Sequence, residues 1–210
     1  TTADLEALFL GITDLIPVEV EDNYSKDLKS RFDYLVQKHQ LHKTVLAPVE
    51  FFKHRPDNFP TIRLAQLAML YHKCENLFSK IMETHKLDDF YLMFDVETSN
   101  YWQTHYQLDK ESVQKKKKLT KSFIDLIIIN SIIPMQFAYA KSLGKEISES
   151  IMEIMFEIKP EKNTIIEKFQ HFKIQSKNAF DTQSLLQLKN EYCNINKCLQ
   201  CNIGIQLLKS

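Results

Sequence analysis

The sequence is poor in glycine. Of its 210 residues only Gly11, Gly144 and Gly204 are glycine, where ordinary composition would give about fourteen. Their wide spacing excludes the glycine-rich loops of dinucleotide-binding and P-loop proteins and the nucleophile elbow of serine esterases, because each of these motifs needs neighbouring glycines. The same scarcity argues against most β architectures. It favours an all-α fold.

Arginine is also scarce, and the net charge is zero. Arg31, Arg55 and Arg63 are the three arginines, and 27 basic residues balance 27 acidic ones. The molecule as a whole therefore exerts no pull toward nucleic acid or an anionic membrane, and any such binding must be local. The charge is unevenly spread: the first 23 residues carry six acids and no base, whereas residues 162–210 carry seven lysines and three acids.

Long apolar runs and secretion signals are absent. The longest charge-free run, residues 126–140, contains Asn130 and Pro134 and is shorter than a bilayer span. We expect it to form a buried helix. The acidic start does not resemble a signal peptide, and the four cysteines do not resemble a secreted disulfide framework. These features predict a cytoplasmic protein without a membrane partner, and the initial Thr1 suggests a piece of a longer protein.

Apolar side chains recur at helical spacing nearly throughout the chain. No repeat, low-complexity tract or long linker interrupts them, so we predict one all-α domain over residues 1–210, an irregular bundle of about eight helices. Pro134 lacks an amide hydrogen and predicts a kink in the most apolar core helix, where the carbonyl of Asn130 loses its partner. The predicted helices are residues 2–12, 23–40, 61–83, 86–94, 119–142, 146–158, 161–172 and 180–193.

Three cysteines give the strongest local signal. Cys193, Cys198 and Cys201 form a C-x4-C-x2-C cluster, and thiolates at such spacing hold structural zinc or iron–sulfur clusters. A fourth ligand stays open among Cys74, a histidine and water or substrate, although Cys74 lies on an apolar stripe where a thiol is commonly a core residue. The alternatives are a thiol-rich helix end without a metal and a redox role.

A second signal surrounds two of the three arginines. Arg55 and Arg63 flank a loop with two prolines that leads into a helix, for which Thr61 is the candidate N-cap. A helix N-terminus with two guanidinium groups suits a phosphate or carboxylate, and we include Asn58 in this candidate anion site. The alternative is a structural turn in which both arginines bind groups of the protein itself.

An aromatic segment is the third signal. Tyr101, Trp102, His105 and Tyr106 precede the lysine run at residues 115–118, and aromatic rings beside cations are typical of single-stranded nucleic-acid binding. The alternative is that the rings pack in the core and the lysines form a solvated loop. The spacing of the histidines and carboxylates does not indicate a catalytic pair.

These motifs resemble the bacterial domain-of-unknown-function family 2851. The resembling stretches are Arg55–Ala68, Tyr101–Tyr106, Ile129–Ala140, Glu161–Ile166 and Asp181–Leu208. The resemblance covers essentially the whole chain and implies that it is the C-terminal half of longer proteins, whose front half is similar to a nuclease-type domain. The positions that match the family's motifs include Arg55, Arg63 and the three C-terminal cysteines. The family has no established activity, so the resemblance supplies no mechanism.

We therefore expect a helical accessory domain that binds rather than catalyses. The first hypothesis is a phosphate or nucleic-acid site at the Arg55–Arg63 loop, with a structural metal at the cysteines. The second is a structural or protein-interaction domain that packs on an N-terminal half or on itself. The third is part of a nuclease-like enzyme.

Overall fold

The computed structural model describes residues 1–41, Ala47 and residues 49–209. Pro48, which falls between the predicted helices of residues 23–40 and 61–83, lies outside the described residues. Helices dominate the rest of the chain, as expected. The α-helices are α1 (Thr2–Ile12), α2 (Asn23–His39), α3 (Pro60–Lys73), α4 (Leu77–Glu83), α5 (Leu87–Met93), α6 (Lys121–Ile127), α7 (Ile133–Ser142), α8 (Ser148–Glu157), α9 (Thr164–His171), α10 (Ala179–Gln187) and α11 (Asn202–Lys209).

Shorter elements join these helices. There are 3-10 helices at Pro56–Asn58, Asn100–Gln103 and Cys198–Gln200, and π-helical turns at Ile128–Ile132 and Leu188–Cys193. The strands β1 (His105–Gln107) and β2 (Lys110–Glu111) form an antiparallel hairpin in which His105 pairs with Glu111.

The predicted all-α fold is confirmed, with a slightly different number of helices. Since α6, its π-helical turn and α7 run on as one helix, the described residues contain ten continuous helices. The predicted helix at residues 61–83 is two helices, because Asn76 adopts a left-handed conformation with φ 54°. Asparagine tolerates that conformation better than most residues, and the sequence has no glycine or proline there to signal the break. Helix α11 was not predicted.

Local capping explains where the first two helices begin. Thr1 and Asp4 form a reciprocal capping box at α1, and the Asp22 side chain accepts a hydrogen bond from the Ser25 amide at the start of α2. Such caps satisfy amides that have no partner within the helix. The predicted starts of both helices, at residues 2 and 23, agree with the structure.

The helix around Pro134 is distorted as expected, in the form of a π-helical turn. This turn, Ile128–Ile132, directly precedes α7, and Pro134 lies in the first turn of α7. A π turn is one way for a helix to accommodate a disrupted hydrogen-bond ladder. Asn130 is exposed, and its side-chain amide donates to the carbonyl of Leu126 at 3.0 Å.

The continuous helix Lys121–Ser142 is longer than the charge-free run that we considered in the sequence. Within it an 18-residue stretch has a mean hydropathy of 1.5, and 33% of that stretch is buried. In length and composition this helix is sufficient to cross a bilayer, a property that it shares with core helices of soluble proteins. The absence of a membrane partner therefore stays a prediction.

The chain forms two compact units. Unit 1 comprises Thr1–Ile81 and Phe90–Ile124, and unit 2 comprises Met82–Asp89 and Asp125–Ser210. The core of unit 1 is a cluster of fully or almost fully buried side chains from α1, α2, α3 and the segment before and within the hairpin region. These are Ala7, Leu10, Leu28, Ile62, Ala65, Trp102 and Leu108.

In unit 2, α8, α9 and α10 contribute Ile154, Ile166 and Ala179 to the buried residues. The amide of Ala179 donates to the carbonyl of Ile158 at 2.9 Å, and the rings of Phe156 and Phe180 lie 5.0 Å apart. The sequence prediction of one domain over residues 1–210 stays a prediction.

Gly11 makes the packing of α1 against α2 possible, because a Cβ atom added there would overlap the ring of Phe32. We expect Gly11→Ala to lower the free energy of unfolding by about 1 to 3 kcal/mol through overpacking, measured by urea denaturation. In a Phe32→Ala background the same change is expected to cost much less, because the clashing ring is gone. Equal losses in the two backgrounds would show that the contact does not set the cost.

Candidate functional site

The Arg55–Arg63 loop is a 3-10 turn followed by a helix, and both begin at a proline. Pro56 starts the 3-10 helix, and Pro60 starts α3. Proline is favoured at the first helical position because its fixed φ suits the helix and it has no amide to satisfy. The prediction of Thr61 as the N-cap is wrong, because α3 begins at Pro60 and its N-cap is Phe59. The buried hydroxyl of Thr61 instead donates to the carbonyl of Tyr106 at 2.5 Å.

The Arg63 guanidinium binds neutral groups of the protein. Its Nη1 donates to Oε1 of Gln66 at 2.8 Å and its Nη2 donates to Oδ1 of Asn58 at 2.5 Å. The guanidinium carbon lies 3.5 Å from the ring centre of Phe123, a close cation–π contact. Burial lowers the pKa of Arg63, although an arginine stays charged. Asn58 and Arg63 thus make the internal contacts of a structural turn, and Arg55 is exposed.

Asp57 joins this loop to the lysine run at residues 115–118. Its carboxylate accepts from Lys115 Nζ at 2.5 Å and from the Tyr106 hydroxyl at 2.9 Å. The contact with Lys115 holds the pKa of Asp57 below its ordinary value. The sequence treated these two segments as separate signals. The structure brings them together across 58 positions of chain.

Lys117 is buried within the same network. Its ammonium group donates to the carbonyls of Trp102 and Gln103, and its own carbonyl accepts from the Gln66 side chain at 3.2 Å. Nζ also lies 4.0 Å from the centre of the Tyr106 ring. Burial lowers the pKa of Lys117. A lysine of a predicted solvated loop is therefore part of the interior of unit 1.

Trp102 and Tyr101 are not free for the base stacking that the sequence predicts. Trp102 is 0% exposed and belongs to the core of unit 1. Tyr101 has Tyr24 stacked on one side at 4.0 Å and His105 stacked at 3.9 Å. A base would need a free ring face. The packing alternative accounts for these two residues.

His105 and Tyr106 are also held by the fold. His105 is buried, and its Nδ1 lies 3.0 Å from the Tyr101 carbonyl. The Thr104 hydroxyl lies at the same distance, 3.0 Å, from Nδ1. Tyr106 is half-buried between the Phe59 ring and the Lys117 ammonium.

A buried carboxyl group was missed from the sequence. Glu6 on α1 is 0% exposed and accepts a hydrogen bond from the Tyr24 hydroxyl. Burial raises the pKa of Glu6, although Tyr24, Ser99 and Trp102 act in the opposite direction. The available signal was an acid next to Ala7 on a helix whose apolar side chains face the core, a position at which charged residues are uncommon.

Tyr101 belongs to a second polar network, next to the hydrogen bond between Tyr24 and Glu6. Its hydroxyl donates to Asp22 at 2.6 Å and accepts from the Asp109 amide at 3.1 Å. Burial, together with the Asp22 carboxylate, raises the pKa of Tyr101 to about 12. Burial alone would raise the pKa of Asp22, but the Ser25 amide and the Tyr101 hydroxyl hold it below its ordinary value. These two networks fix the aromatic segment onto α1 and α2.

The C-terminal cysteines are not assembled into a metal-binding group. Cys193 and Cys198 are exposed, Cys201 is half-buried, and Cys74 is buried in unit 1; all four are free thiols. Within residues 1–41, 47 and 49–209, side chains of His, Cys, Asp and Glu do not converge as groups of three suited to a metal ion. The metal and iron–sulfur expectations stay predictions.

The fold and these contacts define an all-α protein with a small hairpin. The model of a family of proteins of unknown function, DUF2851, matches residues 1–164, and the chain belongs to this family. Neither a curated protein nor a solved structure matches the chain significantly.

The match confirms the resemblance to this family, but it covers residues 1–164 rather than essentially the whole chain. Residues 165–210, with the three cysteines, lie outside the matched range. The expected resemblance of Asp181–Leu208 to the family is therefore unsupported, and the assignment of the chain to the C-terminal half of the family is slightly off. Arg55 and Arg63 lie inside the matched range.

The hydrogen bond from Tyr24 to Glu6 gives a pH-dependent prediction. We expect Tyr24→Phe to lower the free energy of unfolding by about 1 to 3 kcal/mol, because the buried carboxyl loses its donor. A raised pKa means that the folded state binds the proton more tightly than the unfolded state does. The contribution of Glu6 is thus complete below its ordinary pKa of 4.5 and falls as the pH rises through the raised value.

Without the Tyr24 donor the pKa of Glu6 is expected to rise further, so the loss is larger at pH 8 than at pH 4. Urea denaturation at both pH values measures it. The control is Tyr34→Phe, since Tyr34 lies on the same helix and is 60% exposed. A loss for Tyr24→Phe that matches the control, or that is larger at pH 4, would contradict the role of this contact.

Proposed function

We propose that unit 1 binds the phosphate backbone of a nucleic acid through one surface formed by the Arg55–Arg63 loop and the lysine run at residues 115–118. Asp57 joins the two segments, because its carboxylate contacts both Lys115 and Tyr106. Four exposed cations, those of Arg55, Lys115, Lys116 and Lys118, then share a surface with three carboxylates. These are Asp57, Asp95 and Glu97, the last of which pairs with Lys118 across a β-bridge.

Two of these carboxylates form ion pairs, and two of the exposed cations form none within the described residues. Asp57 pairs with Lys115, and Asp95 pairs with Lys118. Arg55 and Lys116 are exposed and form no ion pair within the described part of the chain. Exposed cations of this kind are the groups that contact phosphates.

The half-buried Arg63 and the buried Lys117 add to the potential of the surface. Arg63 and Lys117 are bonded to neutral oxygens rather than to carboxylates. Their charges are therefore not cancelled by a direct partner, and the less polar surroundings screen them less than water does. They hold the two segments together and leave the phosphate contacts to the exposed cations.

The ring contacts also bear on selectivity. Because Trp102 and Tyr101 have no free faces, the surface offers phosphate contacts without base stacking at those rings. Contacts to phosphates carry no direct sequence information. We therefore propose binding with little base selectivity and a strong dependence on salt.

Binding of a labelled single-stranded oligonucleotide, followed by fluorescence anisotropy between about 50 and 200 mM salt, tests the proposal. Arg55→Ala and Lys116→Ala are each expected to weaken binding and to reduce the slope of log K against log salt by about 0.7. Both side chains are exposed, so folding should be unaffected. The matched control is Lys26→Ala, an exposed lysine on α2.

The proposal fails if the oligonucleotide does not bind, if binding is insensitive to salt, or if Lys26→Ala weakens it as much as the other two changes. Similar affinities for oligonucleotides of different base composition are expected.

Exposed apolar side chains in unit 2 favour a second candidate role, in protein interaction. Met152 and Phe156 lie one turn apart on α8, and the ring of Phe156, itself 52% exposed, contacts that of Phe180 on α10. Apolar clusters at a surface commonly mark interfaces. For this candidate we propose a second copy of the chain as the partner.

Light scattering is then expected to show a dimer that Phe156→Ser disrupts. A monomer at all concentrations would exclude this candidate role.

A further inference from the structure

Unit 2 contains a cavity whose lining residues belong neither to the Arg55–Arg63 loop nor to the lysine run at residues 115–118. It has a volume of about 220 Å³ and lies between α9, the residues after it, and the π-helical turn Leu188–Cys193. Its lining residues are Ile165, Lys168, Phe169, Phe172, Lys189 and Cys193. We propose that this cavity binds a small amphipathic anion, an aryl or alkyl carboxylate, with its apolar part on the phenylalanines and its charge between the lysines.

The apolar part of the proposal rests on three side chains. Ile165, Phe169 and Phe172 form the walls, and Phe172 is 76% exposed. An aromatic ring so exposed loses contact with water when an apolar group enters, which is favourable in proportion to the area covered. The volume is below the roughly 300 Å³ at which pockets begin to suit drug-sized ligands. The occupant is therefore a small molecule.

The charge of the cavity selects an anion. Lys168 and Lys189 line it and form no ion pair within the described residues, and none of the lining residues is acidic. The surrounding chain is also basic, with seven lysines and three acids from residue 162 to residue 210. A carboxylate beside apolar walls would gain charge-assisted hydrogen bonds from one or both ammonium groups.

The local backbone explains why Lys189 and Cys193 face the same cavity. The amide of Asn194 donates to the carbonyl of Lys189 at 2.8 Å, an i to i−5 bond that belongs to the π-helical turn. Such turns are rare and frequently occur at functional sites. On the other wall, the Asn163 side chain caps α9 by accepting from the amides of Ile165 and Ile166. The cavity is thus formed by two locally fixed elements.

Cys193 provides a direct readout, because a bound ligand would shield its thiol. The full chain is treated with iodoacetamide in the presence and absence of 4-phenylbutyrate, and the rate of alkylation at each cysteine is followed by mass spectrometry. Cys198 is exposed and does not line the cavity, so it is the internal control. Trypsin separates the two thiols, since it cuts after Lys189 and Lys197.

We expect saturating 4-phenylbutyrate to slow alkylation of Cys193 about fivefold or more and to leave Cys198 unchanged. The neutral amide of the same acid should protect Cys193 much less. Replacing both lysines, in Lys168→Gln/Lys189→Gln, should raise the concentration needed for protection about tenfold, as loss of a charged hydrogen-bonding partner does. Lys162→Gln removes an equal charge outside the cavity and should have little effect.

Three outcomes would overturn the proposal. They are an unchanged rate at Cys193, equal protection of Cys193 and Cys198, and equal protection by the acid and its amide. The last of these would show that the cavity takes apolar groups irrespective of charge.

Discussion

The hydrogen bond from Tyr24 to the buried Glu6 is the contact on which the rest of unit 1 depends. A carboxyl group that is 0% exposed needs a donor, because an unpartnered polar group in the interior costs more than its hydrogen bond contributes. The donor comes from α2 and the carboxyl group from α1, so this requirement fixes the two helices relative to each other. The Tyr24 ring then stacks on Tyr101, whose hydroxyl binds Asp22 at the start of α2.

These contacts determine where the lysine run lies. Trp102, next to Tyr101, is buried in the core, and its carbonyl accepts from the ammonium group of Lys117. The carbonyl of Lys117 in turn accepts from Gln66 on α3, whose side chain also accepts from Arg63. A chain of polar contacts therefore connects the core to the Arg55–Arg63 loop. The proposed binding function thus depends on interior contacts as well as on exposed charges.

Much of the fold was predictable from the sequence because it is local. Helical periodicity gave α1 and α2 nearly to the residue, since each has a side-chain cap that the sequence displays. The break at Asn76 and the helix α11 were not predicted, because neither is marked by proline or by a capping signal of the usual kind. The two segments of the candidate site, the arginine loop and the lysine run, were noted separately in the sequence, because their contact at Asp57 spans 58 positions. Pairings at such distances depend on the packing of the whole unit, as do the burial of Trp102 and of Glu6.

In the proposed function, residues 55–63 and 115–118 act as one binding surface. Amide hydrogen exchange of the full chain, with and without a saturating single-stranded oligonucleotide, tests it most directly. We expect exchange to slow in both segments together and to stay unchanged in α9. Protection of only one segment, or protection confined to unit 2, would contradict it.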